Sequence, residues 1–181
     1  NIGVRHIMSK KPVKSIADLK GLKIRTMQIK YHMAAFNAFG ANATPISYAE
    51  LYSSLQTGVV DGAEAANTNY FEKKFYEVAP HWGQVGWTIL TGPIVIAEKK
   101  FASLPKDVQK ALLEGGNKAA IWEQDYYASV DKGRLNDLKK VGVKITKLDT
   151  APFQKAAAKV HAEFLTTADE KRILRMIQDT K

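Results

Sequence analysis

The sequence predicts an α/β fold with central β-sheets flanked by helices, and two patterns carry this prediction. Over roughly the first hundred residues, short apolar segments of strand length alternate with segments whose apolar residues recur at helical spacing. After Pro105 the spacing is almost wholly helical, apart from one short apolar segment at 143–147. Strands that alternate with helices are typical of a sheet with helices packed on its faces.

The first half divides into strands and helices at its glycines and capping residues. One helix is predicted from about residue 30 to Gly40, a second ends at Gly58, and a third begins at Asn67 or Thr68. Six strands are predicted around them, at residues 1–8, 22–27, 43–47, 59–63, 84–90 and 93–97.

The second half is predicted to contain one long helix and two shorter ones. Pro105 is a favourable first helical residue, and the long helix extends to about Lys140, with a break allowed at Gly115-Gly116. The strand at 143–147 and two helices from about Ala151 and Ala168 complete the chain.

The composition is that of a soluble globular protein of one domain or two small lobes. The chain has 181 residues, 45% hydrophobic and 25% charged, with a net charge of +9. Such a charge permits contact with nucleic acid or a membrane, but the basic residues are scattered in pairs and form no arginine-rich arm. A dispersed solvated surface is favoured, and no nucleic-acid partner is predicted.

Aromatic side chains on the long helix offer a second route to nucleic-acid binding. Trp122, Tyr126 and Tyr127 could stack on bases, but they lie at helical spacing beside Val130. The pattern therefore favours a role in the core.

The compartment is constrained only indirectly. The chain has no cysteine, which excludes disulfides and thiol catalysis and fits an oxidising compartment. No apolar run approaches the roughly 20 residues of a membrane-spanning helix. The sequence opens at Asn1 without a methionine or a leader-like segment, so we expect that it has been processed or cut.

Enzyme signatures are weak. The four histidines lack metal-ligand spacing, and the glycines form neither a dinucleotide-binding fingerprint nor a P-loop, so no metal or cofactor is predicted. Asp61 and Glu64 are either paired carboxylates for hydrolytic acid–base chemistry or a polar turn, and the spacing favours the turn. We expect no catalytic residue.

Arg25, in the stretch DLKGLKIRTM, is the strongest candidate for ligand binding. Its guanidinium can pair with a carboxylate through two hydrogen bonds and stays charged when partly desolvated. Near the carboxyl end of a strand it would face the crevice where α/β folds usually bind ligands. From the residues alone a surface arginine remains the simpler interpretation, and Arg5 is a second candidate of the same kind.

Several dense motifs, in order, carry a resemblance to a known family. Four stretches follow one another along nearly the whole chain: NIGVRHIMSKKPVKSIADLKGLKIR, GANATPISYAELYSSLQTGVVDGAE, FYEVAPHW and KKFASLPKDVQKALLE. The first resembles the pattern NGxRHxxxxKRPIxxxxDLKGLKIR, and the second resembles GAxPxPxxxxEVYxALQxGxVDGxEN. These are patterns of the extracytoplasmic solute-binding proteins of the tripartite ATP-independent periplasmic (TRAP) transporters, and the chain is similar to the C-terminal part of that family.

The resemblance implies a periplasmic binding protein-like fold of two α/β lobes that enclose the ligand, here without the N-terminal part of lobe one. Residues 1–88 would form most of lobe two. Residues 89–130 would supply the return strand, helices of lobe one and the lobe-spanning helix. Residues 131–181 would form the C-terminal strand and helices.

The resemblance also implies a function. The protein would be a periplasmic receptor that captures a small organic acid and delivers it to membrane permease subunits, without catalysis or a cofactor. Arg25 would pair with the ligand carboxylate, Arg5 would assist, and Tyr48 would line the pocket. A sensory ligand-binding domain of the same fold is the alternative.

Two positions depart from the family pattern. Ala65 stands where an asparagine that often contacts ligand is expected, so Asn67 or Asn69 would have to substitute. Trp87 stands where many members have histidine, and it would either cap a small ligand or join the core. These departures favour a small or partly apolar carboxylate over a polyhydroxylated sugar acid.

The missing part of lobe one leads to two further expectations. Because a two-lobed clamp cannot close with half of one lobe absent, we expect the 181-residue chain to bind ligand weakly or not at all. Unpaired strand edges would also favour oligomers or swapped assemblies.

Overall fold

A computed structural model describes residues 2–180, which form one six-stranded mixed sheet covered by helices on both faces. The predicted α/β fold class is thereby confirmed. The strands are β1 (Gly3–Ser9), β2 (Lys23–Thr26), β3 (Asn42–Pro45), β4 (Gly62–Ala65), β5 (His81–Leu90) and β6 (Lys144–Lys147). The helices are α1 (Lys30–Ala38), α2 (Leu51–Thr57), α3 (Asn67–Glu72), α4 (Glu98–Ala102), α5 (Lys106–Lys140), α6 (Ala151–Phe164) and α7 (Ala168–Asp179).

The strand order is β3-β2-β4-β1-β5-β6, and the strand directions decide which residues meet. β2 runs parallel to β3 and β4, whereas β1 runs antiparallel to both β4 and β5. The carboxyl ends of β2, β4 and β5 therefore lie at the same edge of the sheet as the amino end of β1. This edge, called the arginine edge below, carries Arg25 and Arg5.

Each face of the sheet has its own core. Ile7 and Met8 are adjacent in β1 but belong to different clusters, because successive side chains of a strand point to opposite faces. Under α1 and α6 the buried side chains include Ile24, Phe36 and Phe153. On the other face, under α2, α3 and the end of α5, they include Leu55, Tyr70, Trp82 and Leu138.

The predicted strand at 93–97 is wrong. Residues 91–97 form neither helix nor strand, and Ile94 and Val95 are 72% and 82% exposed. A strand is stable only when a neighbour completes its hydrogen bonds, and within residues 2–180 no strand lies beside this segment. Its β-branched composition resembles that of a buried strand, which misled the prediction.

The long helix α5 differs from its prediction in two ways. It passes Gly115 and Gly116 without a break, because glycine weakens a helix by only about 1 kcal/mol per residue and keeps its backbone hydrogen bond.

The expected core role of Trp122 and Tyr126 is wrong, since these side chains are 64% and 54% exposed and stack on each other with ring centroids 4.8 Å apart. Leu138 is the one buried residue of α5. Helical spacing identifies an apolar stripe but cannot reveal whether anything covers it.

Candidate functional site

Arg5 and Glu64 form a buried ion pair at the arginine edge. Nε of Arg5 donates to Oε2 of Glu64 over 2.6 Å, and its NH2 group donates to the Glu64 carbonyl oxygen over 3.2 Å. Arg5 is 4% exposed and Glu64 is fully buried. The pair forms because the antiparallel register of β1 and β4 places Ile7 opposite Glu64, and Arg5 lies two residues before Ile7 in the same strand.

Arg25 approaches the same carboxylate from the end of β2. Its Nε donates to the Ile46 carbonyl oxygen over 2.8 Å, which fixes the direction of the guanidinium. One of its terminal nitrogens lies 4.0 Å from Oε1 of Glu64, an oxygen that accepts no hydrogen bond from residues 2–180. Burial lowers the pKa of Arg25, and the Glu64 carboxylate opposes that shift. A guanidinium nevertheless remains charged in a protein.

The three residues carry one surplus positive charge. Two guanidiniums face a single carboxylate, and all three side chains are at most 5% exposed. An unpaired buried charge is costly, because the low-dielectric surroundings do not replace its hydration. The arrangement is therefore suited to receive one anion, whose negative charge would complete the balance.

Tyr48 lies at the mouth of this site. The Arg25 guanidinium lies over its ring, 5.7 Å from the centroid, and the ring makes an edge contact with Phe75. Burial raises the pKa of the Tyr48 hydroxyl, while the positive charges of both arginines and a hydrogen bond from Asn69 oppose the shift. At 41% exposure the tyrosine contacts both solvent and the buried arginine.

Asn67, one of the two residues predicted to substitute for the absent asparagine, is hydrogen-bonded at both ends of its amide. Its Oδ1 accepts from Nε1 of Trp82 over 2.9 Å, and its Nδ2 donates to Oδ2 of Asp131 over 2.8 Å. Both ends of the amide are thus engaged in linking β5 to α5. Ala65 is 1% exposed and its methyl group packs in the core. Asn69 is the better placed amide, because its Oδ1 has no partner and its side chain reaches Tyr48.

Trp87 packs against α1, as one of its two predicted roles requires. Its ring packs on α1, with edge contacts to Phe36 and His32 at centroid distances of 5.0 Å each. Its Nε1 is buried and donates no hydrogen bond within residues 2–180. The sequence analysis gave His32 no place in the candidate site. Its position in the first turn of α1, the helix after the Arg25 strand, was the feature that could have suggested one.

The paired-carboxylate interpretation has no geometric support. Oδ2 of Asp61 accepts from the backbone N–H of Lys23 over 2.9 Å, where it ties β4 to the start of β2. Glu64 is instead held by Arg5. Each carboxylate therefore has its own structural partner. Within residues 2–180 no cluster of three or more His, Cys, Asp or Glu side chains is placed to hold a metal ion.

A large apolar groove lies apart from the arginines. It has a volume of about 1150 Å³ and runs between the 91–97 segment and α5, with Ile89, Ile94, Val95, Leu112 and Leu113 among its walls. Neither Arg5 nor Arg25 lines it. No helix among residues 2–180 combines the length and apolar character needed to cross a bilayer.

Curated relatives share this sequence over most of its length. The chain is 35% identical over 149 residues to the 2,3-diketo-L-gulonate-binding periplasmic protein YiaO of Escherichia coli, covering 82% of this chain and 45% of that protein. It is 31% identical over 166 residues to the sialic acid-binding periplasmic protein SiaP of Vibrio cholerae, covering 90% and 50%. The chain thus spans about half the length of these relatives.

Solved structures share the fold. A TRAP periplasmic solute-binding protein from Pseudomonas putida with bound D-glucuronate matches with a TM-score of 0.93 and 30% identity, over 99% of this chain and 58% of that one. A second, from Ochrobacterium anthropi with bound L-fuconate, matches with a TM-score of 0.83 and 36% identity, over 90% and 54%.

The family model for bacterial extracellular solute-binding proteins, family 7 (DctP), matches residues 1–167. The match includes every residue of the arginine edge. The chain therefore belongs to the family 7 (DctP) bacterial extracellular solute-binding proteins.

Proposed function

We propose that this chain is the ligand-capturing part of a periplasmic TRAP-type receptor, which binds a small organic acid through its carboxylate at Arg25. The observation that carries the proposal is the surplus positive charge of Arg5, Arg25 and Glu64 in a site closed to solvent. A ligand carboxylate would pair with Arg25 and satisfy that charge. The role is that of a receptor without catalysis.

The neighbours support a sugar acid as the ligand. The solved relatives from Pseudomonas putida and Ochrobacterium anthropi hold D-glucuronate and L-fuconate, and one from Xanthobacter autotrophicus holds β-D-galacturonate. Each of these ligands has one carboxylate and several hydroxyl groups. They argue against the partly apolar acid that Ala65 and Trp87 suggested.

Arg25 alone does not supply the affinity of a transport receptor. A micromolar complex needs about 8.2 kcal/mol, whereas one charge-assisted hydrogen-bonded pair contributes about 1.5–3 kcal/mol. Exclusion of water and contacts with Tyr48 and Trp87 would contribute the rest when the cleft closes. Closure around the ligand is a population shift, and the membrane permease would recognise the closed form.

The test compares an acid with its uncharged amide. D-glucuronate and D-glucuronamide have the same ring and hydroxyl groups, so only the carboxylate distinguishes them. We expect D-glucuronate to shift the NMR resonances of the Arg25 and Tyr48 side chains and D-glucuronamide to shift them far less. NMR detects weak complexes, so an incomplete clamp does not prevent the measurement. Equal binding of acid and amide would contradict the proposal.

A further inference from the structure

Five buried polar atoms near the arginine edge have no hydrogen-bond partner within residues 2–180. They are Oγ1 of Thr26, Nδ1 of His32, Oε1 of Glu64, Oδ1 of Asn69 and Nε1 of Trp87. Native proteins satisfy the great majority of their buried polar atoms, and each one left without a partner costs about 1–3 kcal/mol. Oε1 faces Arg25, but the two ring nitrogens belong to uncharged groups.

His32 and Trp87 stand next to each other and beside the arginines. Their rings make an edge contact, with centroids 5.0 Å apart and planes at 82°. His32 lies in the first turn of α1, directly after the strand that carries Arg25. Trp87 precedes Thr88, the residue paired with Arg5 across the sheet. Burial is the main cause of the lowered pKa of His32; the charges of both arginines lower it further, and Glu64 opposes the shift.

The chemistry of the two rings differs from that of the arginines. Burial lowers the pKa of His32, so its imidazole is neutral at pH 7 and offers one donor and one acceptor. The indole of Trp87 offers one donor. A ligand carboxylate would bind the guanidiniums, where its hydrogen bonds are charge-assisted. Hydroxyl groups, which both donate and accept, suit the neutral nitrogens, whereas an alkyl group would leave both nitrogens unsatisfied.

The packing beneath the rings holds them in place. Phe36 makes an edge contact with Trp87 at 5.0 Å, and Phe39 lies 6.5 Å from the same ring. A side chain fixed in this way loses little conformational entropy when a ligand binds. The arrangement resembles a preformed site more than an adaptable surface.

We propose that His32 and Trp87 form a hydroxyl-binding pair that selects hydroxylated acids over apolar acids with a ring of the same size. The inference rests on carboxylate binding at Arg25 and adds the residues that recognise the hydroxyl groups. His32 acts as a specificity-determining residue, and the indole N–H of Trp87 completes the pair.

The test compares a hydroxylated acid with an apolar one. D-glucuronate and cyclohexanecarboxylate both carry one carboxylate on a six-membered ring, but only the first has hydroxyl groups and a ring oxygen. In the variants His32→Phe and Trp87→Phe an aromatic ring remains against Phe36 while the nitrogens are lost. NMR titrations of the 181-residue chain should show a preference for D-glucuronate. Each substitution should lower the affinity for D-glucuronate about five- to tenfold and leave the affinity for cyclohexanecarboxylate unchanged.

The indole resonances give a readout that is independent of affinity. The Trp87 indole N–H signal should move on addition of D-glucuronate and stay nearly still with cyclohexanecarboxylate. Trp82, whose N–H is bound to Asn67, and the exposed Trp122 serve as internal controls. Far-UV circular dichroism and the Tm of each variant check that the fold is retained.

The outcomes separate the two proposals. If both variants lose both acids equally, the rings only pack against the site and the selectivity is overturned. An unchanged affinity for D-glucuronate in both variants would mean that water satisfies the nitrogens, which also overturns it. Equal binding of the two acids by the unaltered chain would leave carboxylate capture intact and remove the hydroxyl-binding pair. If neither acid binds, the proposed function fails together with this inference.

Discussion

Arg5 and Glu64 are joined by a 2.6 Å charge-assisted hydrogen bond between two strands, in a region from which solvent is almost excluded. The bond holds Glu64 with its second oxygen turned towards Arg25, 4.0 Å away. Glu64 thus neutralises one of two guanidiniums, and one positive charge is left over. The ion pair sets the charge of the site as well as its shape.

Glu64→Gln should destabilise the protein and increase its response to anions. Removing one partner of a buried ion pair costs about 3–5 kcal/mol, because both guanidiniums would then lack a counter-charge. We expect the free energy of unfolding in urea to fall by about 3 kcal/mol, with tryptophan fluorescence as the probe. Added sulfate should stabilise the variant more than the unaltered protein.

A matched control for this experiment lies on the exposed face of α6. Glu163→Gln makes the same chemical change on the surface and should alter the free energy of unfolding by less than about 0.5 kcal/mol. Similar stabilities for the two variants would show that Glu64 has no particular role as a counter-charge.

Arg25→Lys should weaken binding of D-glucuronate by about tenfold or more, since a point charge cannot reproduce the paired hydrogen bonds of a guanidinium. Arg172→Lys makes the same change on α7, where Arg172 pairs with Asp169 at the surface, and should leave binding unaltered. NMR titration measures both. Near-native affinity for Arg25→Lys would contradict the role of Arg25.

Asp131→Ala should loosen the attachment of α5 to the sheet. The Asp131 carboxylate accepts from Nδ2 of Asn67 and from the backbone N–H and hydroxyl of Thr68, at 2.8–3.0 Å. Without this carboxylate three donors have no acceptor. We therefore expect the free energy of unfolding to fall by about 3 kcal/mol and amide hydrogen exchange in α3 to become faster. Asp125→Ala, on an exposed position of α5, is the control. Equal exchange in both variants would count against this attachment.

His6 should make the protein less stable in acid. Burial lowers the pKa of His6 to about 4, with Arg5 adding to the shift and Asp131 opposing it, and its neutral Nδ1 accepts from the Gly86 N–H. The stabilisation is complete above the ordinary pKa of 6.5 and is lost as the pH falls towards 4, because only the unfolded chain then takes up the proton. We expect a loss of about 3 kcal/mol across this window.

The comparison for this pH effect is His6→Asn, whose side-chain oxygen can accept from Gly86 and does not titrate. Urea unfolding at several pH values should give a flatter dependence for the variant. His32 and His81 also have lowered pKa values and contribute with the same sign, so the difference between the two proteins isolates His6. Parallel curves would contradict the assignment.

The apolar groove should promote self-association. Ile94 and Leu113 are 72% and 59% exposed on its opposite walls, and a contiguous exposed apolar surface of this kind favours association. In sedimentation velocity, Ile94→Lys combined with Leu113→Lys should reduce the concentration-dependent rise in sedimentation coefficient. Adding two lysines elsewhere, at Asn136 and Gln178, controls for net charge. Association that is unchanged by the first pair would place the contact elsewhere.

Local sequence patterns were enough to predict the α/β class, most of the strands and helices, and Arg25 as a candidate ligand-binding residue. These features depend on local patterns: apolar periodicity, glycines at helix ends, and an arginine at the end of a buried strand. The same patterns gave wrong predictions for residues 93–97 and for Trp122, because the composition of a segment does not show whether another segment packs against it.

The grouping of Arg5, Arg25 and Glu64 depends on contacts between distant segments. Glu64 is separated from Arg5 by 59 residues and from Arg25 by 39 in sequence, and only the strand order and directions bring the three together at the arginine edge. The structure likewise engaged Asn67 with Trp82 and Asp131 and set His32 against Trp87. Such groupings arise from strand pairing and helix packing between distant segments, whereas a sequence motif records only local spacing.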